Sequence, residues 1–260
     1  MQIHFTNPGV EVMLEHILDF QSENTSEFWS GPLFHFYPQL DRDHAASLPF
    51  AERKAYLSDT LRAVYPDIAP VIDQKVIRYA EYWATCRPQI TAALSDAFEC
   101  DCGALFNDIR CNVSMGPVEP RFLQEHAFDL FYLNSEKGAI GETIHELIHF
   151  VWFHVWHDFF GDSREEYESP SLKWILSEMA VEPVMSDERL SLINPYYPRE
   201  QGGCIYPYFF TMETAEGNVM DWMHRTYRAR NIRDFMRDSY DFCLRHEQEI
   251  RKHIAEAEQA

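Results

Sequence analysis

The sequence predicts an α+β fold, with a mainly helical N-terminal part, a small sheet near the middle and a helical second half. Three observations lead there. Apolar residues recur at helical spacing before residue 99. Short strand-like segments are confined to residues 104–133. Helical spacing then resumes and continues almost to the C-terminus.

Taken in order, Val10, Met13, Leu14, Ile17 and Leu18 mark one face of a helix over residues 9–20. Residues 24–48, with Pro32 and Pro38 among scattered aromatics, are expected to be loop. A helix is expected over 49–64, with Ser47 as cap and Pro49 near the first turn, and another over 70–98. After Gly103 the pattern changes. Residues 104–114 and 128–133 read as strands, joined by the loop Gly116-Pro117-Val118-Glu119-Pro120. A long helix over 136–160 closes at Gly161. Ser169-Pro170 offers a cap and a first position for a helix that carries Leu172 to Glu182 and is disturbed at Pro183. Residues 186–204 read as loop, and two more helices fit 208–228 and 232–256. The change of pattern near Cys100 divides the chain into a helical part, 1–99, and a second part, 100–260.

Composition bounds the function. The chain has 260 residues, 46% of them hydrophobic, so a substantial core can form. Its net charge of -20 makes nucleic acid and anionic membranes poor partners, because like charges repel. An acidic cleft would favour neutral or basic substrates. The segment Met1 to Pro8 lacks the charged and apolar regions of a signal peptide, and no stretch approaches a membrane span. The six cysteines are sparse for a disulfide scaffold, and we expect free thiols in a reducing cytoplasm.

The chemistry concentrates in His145-Glu146-Leu147-Ile148-His149, the pattern His-Glu-x-x-His. Residues four apart on a helix lie about 40° apart around the axis and one turn along it. Two imidazoles so placed reach one zinc ion at about 2.0–2.1 Å each. Glu146 points about 100° away from His145, so it is expected to approach a water in the open fourth position instead of ligating. There it would act as general base. His154 and His157 fall off this face and are expected to be packing or surface residues. Trp152 and Trp156 stay on it and are expected to pack against a neighbouring helix.

A third protein ligand is needed. A Gly and a third His at metzincin spacing are absent, since Trp152 and Val155 stand there. Downstream, Trp174-Ile175-Leu176-Ser177-Glu178-Met179-Ala180-Val181 resembles the glutamate helix of gluzincins, whose motif runs Trp-x-x-x-Glu-x-x-Ala. Val181 departs from that motif. The resemblance covers about residues 105–185 and places Glu178 at the third ligand position. It also implies a zincin-like fold, with a small twisted sheet, an active-site helix under it and the glutamate helix beside it, within the part 100–260. Glu182, Asp162 and Asp158 are rival ligands, and Glu142 shares the His145 face. Gluzincins stabilise the oxyanion with a Tyr or His beyond the glutamate helix. Tyr196, Tyr197, Tyr206, Tyr208 and His224 qualify here, with Tyr206 and His224 preferred. Cys102 stands where a peptide deformylase would place a cysteine ligand, but that family's Gly-rich and Glu-Gly-Cys motifs are missing.

The expected function is zinc-dependent hydrolysis of peptide bonds in a peptide or protein substrate. The alternatives are a non-catalytic zincin-fold protein, using the metal structurally or for partner binding, and a hydrolase of non-peptide amides. Glu146 favours catalysis, because a purely structural zinc needs no carboxylate beside an open position.

Overall fold

The computed structural model describes residues 1–259, the side chains of residues 164 and 165 excepted. It is a mixed α+β structure built around a small mixed sheet. In chain order the elements of the first half are β1 (Ile3–Thr6), α1 (Val10–Asp19), α2 (Glu27–Phe36), α3 (Arg42–Ser47), α4 (Phe50–Phe98) and α5 (Cys102–Leu105). Next come β2 (Ile109–Ser114), β3 (Arg121–Phe122), β4 (Ala127–Phe131) and α6 (Glu136–Phe160). The remainder holds α7 (Leu172–Met185), α8 (Glu188–Ser191), the hairpin β5 (Glu213–Thr214) and β6 (Gly217–Asn218), then α9 (Val219–Ala229), α10 (Ile232–Arg245) and α11 (Glu247–Glu258).

The main sheet runs in the order β1-β2-β4-β3. The first three strands are parallel, with Ile3 opposite Ile109 and Cys111 opposite Phe128. Only β3 is antiparallel, with Arg121 opposite Phe128. Every residue of β4 is buried, as expected of a strand covered on both faces. Helix α4 packs on β1, β2 and α6, while α6 packs on β4 and α7.

Several sequence expectations give way to tertiary packing. The two helices expected before residue 99 are one 49-residue helix, α4, which runs through Pro66, Pro70 and Pro88. Each proline removes a ladder hydrogen bond and costs a helix interior about 3 kcal/mol. All three sit on the exposed side, where water can satisfy the freed carbonyls. The opposite stripe, with Leu57, Leu61, Ile72, Tyr79, Trp83, Ile90 and Leu94, is buried and holds the helix together. The cap is Pro49, not Ser47.

The expected loop over 24–48 contains α2 and α3, because Leu33 is buried and the α2 aromatics have packing partners elsewhere in the chain. The strand expected from 104 begins only at Ile109, after the short α5. Strands β1 and β3 were not foreseen; four and two residues carry too little periodicity. Helix α7 is capped by Ser171, not Ser169, and passes Pro183 because it ends two residues later at Met185. The short α8 interrupts the loop expected after residue 186. The helix expected from Tyr208 is a 3-10 turn over Pro207–Thr211, then the hairpin and α9. The last helix is broken at His246, whose ring meets Glu216 of the β5–β6 turn at 3.0 Å.

A buried polar cluster locks α1 to the sheet. The Asp129 carboxylate accepts from Asn112 Nδ2 at 2.9 Å and meets His16 Nδ1 at 2.8 Å. Burial disfavours charge on His16, but the hydrogen bond and charge of Asp129 outweigh it and raise the His16 pKa. Since the folded pKa lies above the unfolded one, the pair contributes fully below about pH 6.5 and is lost as pH rises through the folded value. Asp129→Asn should cost about 1–3 kcal/mol at pH 6. It should also flatten the fall in stability between about pH 6 and 8. Urea midpoints across that range check both; parallel pH profiles for parent and variant would contradict the assignment.

Candidate metal centre

The HExxH segment lies in the middle of α6, which is capped by Ser135, whose hydroxyl accepts from Gly138 N, and by Gly161 in the left-handed region. Glycine permits the close approach at its first turns. A Cβ on Gly141 would stand 2.9 Å from Asn194 Oδ1, so the 194–196 segment lies directly on the helix. That segment leads into Cys204, whose carbonyl sits 2.8 Å from His145 Nδ1. A carbonyl only accepts, so Nδ1 carries the proton and Nε2 of His145 is turned toward the site. Sequence reasoning missed Cys204, because its backbone and not its thiol does the work.

His145 Nε2 and His149 Nε2 stand 2.9 Å apart. Two nitrogens on one tetrahedral zinc would stand about 3.3 Å apart. Glu178, brought in by α7, places Oε2 3.4 Å from His145 Nε2 and Oε1 3.4 Å from His149 Nε2. Glu146 Oε1 is 3.9 Å from His145 Nε2, closer than its helical angle suggested. The ligand atoms of His145, Glu146 and His149 all lie within 4.8 Å of one another, and these three could hold a metal ion. Among the described residues no other cluster could do so. The donor chemistry fits a metal ion. Glu146 Oε2 and Glu178 Oε2 are buried without a hydrogen-bond partner, a deficit that an ion and its water would relieve.

The electrostatics are those of a crowded, desolvated cluster. Burial raises Glu146 to about 7, against the pull of His145 and Arg121. Burial works against the charge of Glu178, but His149, Arg121 and His145 hold its carboxyl well below the usual range. Burial also opposes charge on His145, yet Glu178, Glu146 and Glu142 together raise it to about 9. His149, buried and near Arg121, falls to about 3.

The rival ligands are engaged elsewhere. Glu182 is hydrogen-bonded to His224. Asp162 accepts from Trp156 Nε1 at 2.9 Å and pairs with Lys173 at 2.8 Å. Asp158 is exposed, 3.6 Å from His154. His157 bonds the Asp162 carbonyl at 2.9 Å, so neither extra histidine joins the cluster. Trp152 and Trp156 stack on each other and meet Phe235 and Tyr240 of α10.

The two oxyanion candidates part company. Tyr206 lines the cavity in front of the cluster, with Glu142, Glu146 and Glu178. Burial, with the charges of Glu178 and Glu146, raises its pKa well above the ordinary phenol value, so it remains a proton donor. His224 does not line the cavity; its place on α9 gives it to Glu182. All six cysteines are free thiols, and Cys102 is not part of the metal cluster.

The cavity measures about 770 Å³. Its apolar wall joins Phe28 and Trp29 of α2 with Trp174 of α7 and Tyr206, and Trp29 and Tyr206 rings lie 5.3 Å apart. No helix among the described residues is long and apolar enough to cross a membrane. The chain shows no match to any protein-family model, curated protein or solved structure compared with it.

Proposed function

We propose that this chain is a zinc-dependent hydrolase of peptide bonds, built on a zincin-like arrangement of sheet, active-site helix and glutamate helix. One observation carries the reading. Two imidazole Nε2 atoms and the Glu178 carboxylate converge beside a general-base candidate with an unpartnered oxygen, at the wall of a cavity of about 770 Å³. The packing of α6 on β4 and α7, with an antiparallel edge strand β3, is consistent with the fold implied by the motifs.

His145, His149 and Glu178 would hold the metal, with two neutral imidazoles and one carboxylate. Zinc, when bound, supplies positive charge that polarises a carbonyl and acidifies water. Glu146 takes the proton of the attacking water and returns it to the leaving amine. Tyr206 donates to the carbonyl oxygen as negative charge develops there. The aromatic wall excludes water from the reacting bond and gives an apolar substrate side chain a surface to cover.

Metal analysis tests the reading first. Protein purified without added metal should contain about one zinc per chain, and it should cleave members of a short-peptide library in a chelator-sensitive way. A protein that neither carries zinc nor binds it on titration would end the proposal.

A second reading, a non-catalytic zincin-fold protein, draws on the Arg121–Glu178 pair, since Arg121 Nη1 already holds Glu178 Oε1 at 2.9 Å. Zinc binding without cleavage of any library peptide would favour it.

A further inference from the structure

Arg121 takes no part in the hydrolytic steps proposed above. It comes from the edge strand β3 and its side chain is only 7% exposed, yet it is one of the residues lining the cavity. Among the described residues it is the only Lys or Arg on that lining, which also carries Glu119, Glu142, Glu146 and Glu178. Its charge is felt at Glu146, Glu178 and Tyr206, the groups around the reacting bond.

The guanidinium is half used. Nη1 donates to Glu178 Oε1 at 2.9 Å. Nε and Nη2 are buried and have no hydrogen-bond partner. These two nitrogens form one edge of the planar group, and their N–H bonds run parallel. That edge matches the two oxygens of a carboxylate. Leaving such an edge unpaired in a buried place is costly, and a partner that completes it removes the cost.

Resting on the hydrolase reading above, we propose that the free Nε–Nη2 edge of Arg121, covered in this structure, is uncovered as substrate enters the cavity and receives a carboxylate of the substrate. The substrate class is then a short peptide with its free C-terminal carboxylate close to the scissile bond. The carboxylates elsewhere on the lining confine an anionic group to Arg121 and leave the rest of the cavity to neutral or positive groups.

The test compares N-acetylated dipeptides bearing a free C-terminal carboxylate with the same peptides amidated, by calorimetry on the zinc-loaded Glu146→Gln protein. We expect the acid to bind about tenfold or more tightly than the amide. Arg121→Gln, made in the same background, should remove the difference. Arg121→Lys should remove most of it, since an ammonium keeps the charge but not the fork. Equal binding of acid and amide to the Glu146→Gln protein, or no binding of either, overturns the proposal. So does a preference that persists in a folded Arg121→Gln. If both Arg121 variants fail to fold, the acid–amide comparison on the Glu146→Gln protein still decides. The underlying reading fails separately. A parent enzyme that cleaves acid and amide alike keeps the hydrolase and loses the carboxylate site. A protein that binds the acid through Arg121 but cleaves nothing keeps the carboxylate site and loses the hydrolase.

Discussion

Glu146→Gln is expected to lower kcat/KM for peptide cleavage by about 10²–10⁴-fold while leaving the metal content unchanged. The carboxylate is buried, its Oε2 has no partner, and its Oε1 lies 3.9 Å from His145 Nε2. A group so placed can reach a water in front of the imidazoles. Gln has nearly the same shape but cannot take a proton, so the substitution separates the base from packing. Metal content distinguishes this role from ligation: the ligand atoms lie within 4.8 Å of one another, and Glu146 could itself be a ligand. Activity lost together with the metal would reassign Glu146 to the coordination sphere. Full activity in the variant would remove the general-base mechanism.

Glu178→Ala is expected to weaken metal binding by about 100-fold or more, against little change for Glu182→Ala. Both residues lie on α7 one turn apart, and both are buried. Their partners separate them. Glu178 stands 3.4 Å from each imidazole, whereas Glu182 is hydrogen-bonded to His224 on α9. Competition with a chelator measures both affinities. Removing Glu178 also leaves Arg121 as an unpaired buried cation, so the variant should lose stability as well. Glu178→Gln, which keeps a hydrogen-bond acceptor for Arg121, isolates the loss of the ligand charge. A larger effect at Glu182 than at Glu178 would place the third ligand one turn further along α7.

The sequence by itself determined the parts of this protein that depend on local spacing. The HExxH pair needs only one helical turn to bring His145 and His149 together, and α6 runs from Glu136 to Phe160 and closes at Gly161, as its periodicity and that glycine predict. The nearness of Glu178 was legible for a different reason, the resemblance of the stretch from Trp174 to Val181 to a known motif. Tertiary structure decided what local rules leave open. Burial of one stripe outweighs three prolines and makes α4 continuous, because the prolines face water and the apolar residues face the core. Pairing between β1 and β2, more than 100 residues apart in register, cannot be read from four residues. Which of Glu178 and Glu182 stands beside the imidazoles, and which of Tyr206 and His224 lines the cavity, follows from what each side chain meets across the fold. The Cys204 carbonyl and the half-used Arg121 carry no sequence signal. A backbone oxygen is the same in every residue, and the free edge of an arginine exists only once its neighbours are in place.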